Sequence, residues 1–368
     1  VTQSRLQKLT ASLLDSNLDA VILNPGPTLK YLSGIDFHLM ERPVVLFVAP
    51  DKDPALVLPE LELLKVDLFP YKVQAFAYGE NPSEWNDAFR KAAQALSLDG
   101  KRIGVEPRQL RLLEYSHVKA GAPQAEFPDA SDVLAELRLR KDKAEVDAMR
   151  EAVRIAQDAL EAVIPQIKIG MTERELASEL VMQLLKHGSE SEIPFAPIVS
   201  AGPNSANPHA SPSERKLQAG DLLVIDWGAA HHGYISDLTR TFAVGEVDEE
   251  FKKIHAIVQE ANAAGRAAAN PGVPCAGVDK AARDVIEKAG YGKYFTHRTG
   301  HGIGMEGHEA PYMRGDNMQL LEPGMAFTVE PGIYLTGRNG VRIEDNMVIM
   351  DDGAQSLSDM PRGIRVVG

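Results

Sequence analysis

The sequence predicts two domains: an α/β domain over residues 1–130 and a larger α+β domain over residues 131–368 built from two related halves. Three observations carry this reading. The chain has 368 residues, too many for one ordinary core. Its first third alternates helix-period and strand-like segments. Its remainder contains an internal repeat, Leu217–Gly228 against Leu321–Gly332.

In chain order, Leu6, Leu9, Leu13 and Leu14 form an apolar stripe at helical spacing. "DAVIL" (Asp19 to Leu23) follows as a buried strand and is stopped by "NPGP". "RPVVLFVAP" and "ALVLPE" read as further strands, 61–66 and 82–96 as helices, and "KRIGVE" (101–106) as another strand. The turn-rich "AGAPQAEFPDAS" (120–131) is the expected linker. After it, "DVLAELRLRKDKAEVDAMREAVRIAQDALEAVIP" predicts one long helix, charged on one face and rich in alanine and valine on the other. "TERELASELVMQLLKHG" predicts another, opened by a capping box from Thr172 to Glu175 and closed at Gly188. From Ile193 the chain turns strand-rich, with helices expected at 249–269 and 278–289.

Composition excludes several classes of function. A formal net charge of -13 argues against a nucleic-acid partner. No basic tract suggests membrane attachment, and apolar runs such as Pro43 to Pro50 are too short to span a bilayer. The opening "VTQSRLQKLT" lacks an apolar signal-peptide core. A single cysteine, Cys275, allows no internal disulfide, which fits a reducing cytoplasm. It lies in the loop-like "NPGVPCAG" with no base beside it and reads as a bystander.

The repeat points to chemistry. "LQAGDLLVIDWG" and "LEPGMAFTVEPG" share Leu-x-x-Gly, four residues, an aliphatic, an acid, any residue and Gly. The acids are Asp226 and Glu330. Downstream, "GYISD" ends in Asp237 and "GVRIE" in Glu344, each with Gly four residues before the acid. Each half is thus expected to hold a pair of strands, each strand carrying an acid, with the two acidic hairpins converging. Carboxylates so gathered cannot all ionise unless cations neutralise them. Divalent ions suit oxygen ligands, and four acids suit two ions about 3.5–4 Å apart with bridging carboxylates. Asp237, an acid on the inner face of the strand-like "SDLTRTF", is therefore expected to pair with metal.

Between the hairpins, "HRTGHGIGMEGHEAP" holds His297, His301 and His308. Gly300, Gly302 and Gly304 argue against a helix, and no His-Glu-x-x-His occurs, so a glycine-rich turn presenting imidazoles is expected. His209 stands in the turn-forming "GPNSANPHA", ahead of the first hairpin. His231 and His232 lie in the turn between Asp226 and Asp237 and are given no role.

The order Asp226, Asp237, His301, Glu330, Glu344 resembles the pita-bread metallopeptidases, and within them the Xaa-Pro peptidases, prolidase and aminopeptidase P. The motifs are "IDWG", "SDLTRTF", "HRTGHGIGMEGHE", "TVEPGIY" and "GVRIEDNMVI", and the match runs from about Leu134 to the C-terminus. The first third is similar to that branch's amino-terminal domain in size and pattern. The resemblance implies a duplicated α/β fold and two divalent metals, manganese first, with cobalt or zinc also compatible. Asp226 would chelate one metal, His301 and Glu330 the other, and Asp237 and Glu344 would bridge them around a nucleophilic hydroxide. Glu330 would shuttle the proton, His308 would contact the scissile peptide, and His209 would help stabilise the tetrahedral intermediate. His297 and Arg342 match positions that shape the proline-side pocket and the groups around the metal ligands. Ala229, after "IDWG", departs from the polar residue common in relatives. The implied substrates are peptides with proline second, Xaa-Pro dipeptides being favoured over longer peptides on "GHEAP". A homodimer is implied as well. Methionine aminopeptidase is the alternative within the fold, disfavoured by the extra domain. Creatinase lacks the full ligand set, and a non-catalytic pita-bread binding protein would have lost ligands that are present here.

Overall fold

The computed structural model describes residues 2–368, apart from the side chains of Thr2 and Gln3. The alternating first third forms α1 (Thr2–Asp15), β1 (Ala20–Leu23), α2 (Pro27–Ser33), β2 (Val45–Val48), β3 (Ala55–Pro59), β4 (Gln74–Tyr78), α3 (Pro82–Leu96), β5 (Ile103–Gly104) and α4 (Leu112–Gly121). The sheet order is β4-β3-β2-β1-β5. β1, β2 and β3 are buried at every position, which explains their unbroken apolar runs. The stretch expected as a helix near 61–66 is a 3-10 helix, Glu60–Leu68, with no buried residue. Its Leu61, Leu64 and Leu68 are exposed rather than packed into a core.

The segment expected as one long helix is two, α5 (Ser131–Leu139) and α6 (Lys143–Val163). Asp142 separates them. Its carboxylate accepts from the Glu145 backbone N–H at 3.0 Å, and the Glu145 carboxylate accepts from the Asp142 N–H at 2.7 Å. That capping box starts a new helix, a signal hidden in a run of mixed charge. The chain divides into compact units at Arg138/Leu139, later than residue 130, because α5 belongs with the first unit up to Arg138.

In the second unit one succession of parts occurs twice. The first half is α6, α7 (Glu173–Lys186), β6 (Ile198–Ala201), β7 (Leu222–Trp227), the small hairpin β8 (Ala230–His231) and β9 (Tyr234–Ile235), and the return strand β10 (Leu238–Val244). The second is α8 (Glu249–Ala268), α9 (Cys275–Lys288), β11 (Gly300–Gly302), β12 (Glu309–Met313), β13 (Ala326–Val329), the hairpin β14 (Gly332–Tyr334) and β15 (Gly340–Arg342), and the return strand β16 (Asp345–Met350). β17 (Gly353–Ser356) and β18 (Arg365–Val367) complete the sheets, ordered β18-β10-β7-β6 and β12-β11-β13-β16-β17. β7 pairs antiparallel with β10, and β13 with β16.

Helices cover these sheets because their apolar residues recur every three or four positions. α6 buries Val146, Met149, Val153, Ala156, Leu160 and Val163. Each larger side chain contributes roughly 1.5–3 kcal/mol on burial. Trp227 is fully buried against α6, and its Nε1–H donates to Ala156 O at 2.7 Å. α8 does the same for the other half with Phe251, Ile254 and Val258. Cys275, expected in a loop, is the buried first residue of α9. Burial pushes its thiol up to about 11, which keeps it protonated and unreactive. Among the described residues no helix is long and apolar enough to cross a membrane.

Candidate metal centre and active site

The duplicated strands bring the acids to corresponding places. Asp226 lies inside β7. Asp237, Glu330 and Glu344 instead sit just outside strand ends, before β10, after β13 and before β16. The expectation of an acid within each strand is corrected accordingly. Off the ladder, each backbone N–H still finds an acceptor: Asp237 N–H donates to Asn346 Oδ1 at 3.0 Å, Glu330 N–H to Thr299 O at 2.7 Å and Glu344 N–H to Thr239 O at 3.0 Å. The first and the last of these join the two halves.

His301 arrives on β11, not on the glycine-rich turn the sequence suggested. β11 runs between β12 and β13, with a bulge between His301 and Gly302. The glycines are there for close approach rather than for turning. A Cβ on Gly300 would overlap Thr328 O, and one on Gly302 would overlap Ala310 O.

Asp237, His301 and Glu344 offer ligand atoms that all lie within 4.8 Å of one another. His301 Nε2 is 3.3 Å from Glu330 Oε1 and 3.7 Å from Asp237 Oδ2. Burial, then the charges of Glu344, Asp226 and Glu330, push Asp237 well above the usual carboxylate range. Burial, then Glu330 and Asp226, does the same to Glu344. Glu330 rises to about 7, chiefly through burial and against the pull of Arg342. His301 falls to about 3, through burial and then the neighbouring His308. Its Nδ1 faces Gly302 O at 3.1 Å and so carries the proton, which leaves the Nε2 lone pair facing carboxylate oxygens.

A lone pair set against carboxylates is repulsive unless a cation or proton lies between them. Asp226 Oδ1 and Glu344 Oε1 are buried with no hydrogen-bond partner. Orphaned buried oxygens, crowded carboxylates and a neutral imidazole form a donor set that fits a divalent cation.

A second network stands behind the acids. Arg342 Nη2 donates to Asp226 Oδ2 at 2.6 Å, Nε to Thr239 Oγ1 at 3.1 Å, and Nη1 to Tyr334 OH at 3.1 Å and Pro208 O at 3.3 Å. His297 Nδ1 donates to Arg298 O at 2.7 Å, so its Nε2 accepts from Tyr334 OH at 2.8 Å. Burial lowers His297 to about 4. His308 is exposed, its ring centroid 4.0 Å from that of His301. His209 is exposed too, and it lies near enough to His297 to disfavour that ring's protonation.

Sequence reasoning passed over three groups that the fold brings here. Tyr334 joins Arg342 to His297; its position four residues after Glu330 in "TVEPGIY" was the available signal. Asn346, two residues after Glu344, brackets the Asp237 backbone, accepting from its N–H and donating to its carbonyl at 2.7 Å. Lys141 donates to Glu309 Oε1 at 2.6 Å, both side chains buried beside the histidine segment. Lys141 sits in a charged run that reads as solvated surface, so nothing in the sequence marked it.

Residues 5–140 match the Creatinase/Prolidase N-terminal domain, and residues 147–351 match metallopeptidase family M24. The chain is 37% identical over 370 residues to a "Probable dipeptidase PepE" of Mycobacterium bovis, covering 99% of this chain and 96% of that protein. It is 34% identical to an "Xaa-Pro dipeptidase" of Lactobacillus helveticus, covering 98% of each. Its fold is similar to that of a crystallised recombinant prolidase from Thermococcus sibiricus, with a TM-score of 0.94 at 33% identity over 100% of this chain and 99% of that one. The amino-terminal α/β unit, the duplicated pita-bread unit and its buried acidic cluster therefore have one source: the chain belongs to metallopeptidase family M24.

Proposed function

We propose that the chain hydrolyses the bond between an N-terminal residue and proline, and that it prefers Xaa-Pro dipeptides to longer peptides. The observation that carries this is the convergence of Asp226, Asp237, His301, Glu330 and Glu344, with unpartnered oxygens on Asp226 and Glu344. In this reading the centre takes two divalent cations, manganese first. Asp226 would hold one, His301 and Glu330 the other, and Asp237 and Glu344 would serve both. Such ions supply a water that ionises near neutral pH.

The chain's own groups do the rest. Glu330, its Oε1 3.3 Å from His301 Nε2, would accept the water's proton and pass it to the departing proline nitrogen. His308 and His209, both exposed, donate to the carbonyl oxygen as charge develops on it. His297, half-buried and neutral against Tyr334, borders the proline ring. Arg342 has four of its donor contacts on protein oxygens, which favours a role in orienting Asp226 over one as a direct partner for a substrate carboxylate.

Proline makes the scissile bond a tertiary amide without N–H, so the site must admit a ring and cannot rely on that donor. The dipeptide preference draws on the names of the relatives, a probable dipeptidase and an Xaa-Pro dipeptidase. A homodimer is part of the reading, supported by the exposed Leu61, Leu64 and Leu68. A cytoplasmic setting is supported by the lone buried Cys275.

The test is a panel of Ala-Pro, Ala-Pro-Ala and Met-Ala-Ser on metal-stripped protein reloaded with Mn2+. Ala-Pro should be cleaved at least as fast as Ala-Pro-Ala, and chelator should abolish both. Strong preference for the tripeptide would refute the dipeptide preference, and cleavage of Met-Ala-Ser alone would refute the proline reading.

A further inference from the structure

Asn262 is fully buried in the interior of α8, a position where asparagine has poor helix propensity. A buried amide is costly unless its hydrogens and its oxygen are bonded, so an asparagine at this place calls for a reason.

Its contacts supply one. Asn262 Nδ2 donates to Val329 O at 3.0 Å and to Ile343 O at 3.3 Å. Those carbonyls belong to the residues immediately before Glu330 and Glu344. The Oδ1 end is fixed separately, since Arg266 Nε donates to it at 2.8 Å. That contact leaves the two amide hydrogens for the two carbonyls. Arg266 Nε in turn lies 3.6 Å from Asp345 Oδ2, beside Glu344. One rigid amide thus fastens together the two chain segments that carry the second half's glutamates.

We propose that Asn262 is a positioning residue that sets the separation of Glu330 and Glu344, and through it the affinity of the centre for its cations. The inference rests on the metal reading above. Outer partners of metal ligands typically govern affinity by about 10–100-fold. Asn262→Asp keeps the shape and the acceptor for Arg266 but removes both amide hydrogens.

The experiment is calorimetric titration of metal-stripped protein with Mn2+ alone, paired with the absorption spectrum of the Co2+-loaded form. Wild type, Asn262→Asp, Asn262→Leu and Val258→Ala are compared, the last being a packing control on the same helix. The expected result is a 10–100-fold weaker Mn2+ affinity and an altered Co2+ spectrum in both Asn262 variants. Val258→Ala should lower thermal stability and leave both metal readouts unchanged. Wild-type affinity and spectrum in Asn262→Asp would overturn the proposal, as would an equal affinity loss in Val258→Ala. Should Asn262→Leu not fold, the isosteric aspartate carries the test, and its failure to fold would assign Asn262 to global stability instead. Failure of wild type to bind Mn2+ would refute the metal reading itself, an outcome distinct from all of these.

Discussion

Glu330, Asp237 and Glu344 hold protons more tightly than ordinary carboxyls, whereas His301 and His297 hold theirs less tightly. The signs follow from linkage. Glu330, raised from 4.5 to about 7, stabilises the metal-free fold fully below 4.5 and loses that contribution as pH rises through about 7. Asp237 and Glu344 act in the same direction. His301 and His297, lowered from 6.5 to about 3 and about 4, oppose folding only as pH falls below 6.5. Above 6.5, only the carboxyls of this set still change stability. Chelator-treated protein should therefore melt at a lower temperature at pH 8 than at pH 6.5. Saturating Mn2+ should reverse the trend, because ligands must be deprotonated to bind it. A metal-free melting temperature that rises over this interval would contradict the assignment. At this scale the sequence was informative wherever chemistry demands a residue type. Acids and a histidine at repeating intervals stand out without any structure. Lys141 and Asn262 do not, since each acts on residues its neighbours in sequence never reveal; Lys141 meets Glu309 168 positions away.

Among the elements, β11 is the most constrained. It inserts the histidine between two strands that approach closely enough to exclude any Cβ at Gly302. Gly302→Ala should force the β11–β12 pair apart and destabilise the protein by about 3 kcal/mol, the upper end for overpacking. It should also weaken Mn2+ binding, because His301 would move with the backbone. Thermal melts with and without metal measure both, and a variant that melts like wild type would show that the strands yield more easily than their spacing implies. The glycines of this segment were visible in the sequence, but their reason was not. Glycine that permits a turn and glycine that permits close packing look alike until the neighbouring strands are placed. The α5–α6 break was obscured differently, by a capping box of charged residues inside a charged run.

For the whole second unit, duplication explains why so much was legible. Two copies of strand, small hairpin and return strand reveal themselves by matching, whatever their tertiary contacts. What joins the copies was invisible. Glu344 N–H reaches Thr239 O, Asp237 N–H reaches Asn346 Oδ1 109 positions away, and Arg240 Nη1 donates to Glu344 O at 2.7 Å, 104 positions away. These contacts bear on the order of events in folding. Closing loops of that length sacrifices chain entropy before any contact compensates it, so the junction between the halves should form after each half has gathered its own helices and sheet. Trp227, packed on α6 inside the first half, should then become buried before the centre can bind metal. In stopped-flow experiments on a Trp85→Phe background, Mn2+ added from the start should leave the refolding rate within about twofold and slow unfolding markedly, as expected for interactions absent from the transition state. Faster refolding with Mn2+ would mean that the ion templates the halves. Otherwise the ion acts as a latch: it plays no part in finding the fold and governs how long the finished molecule stays closed.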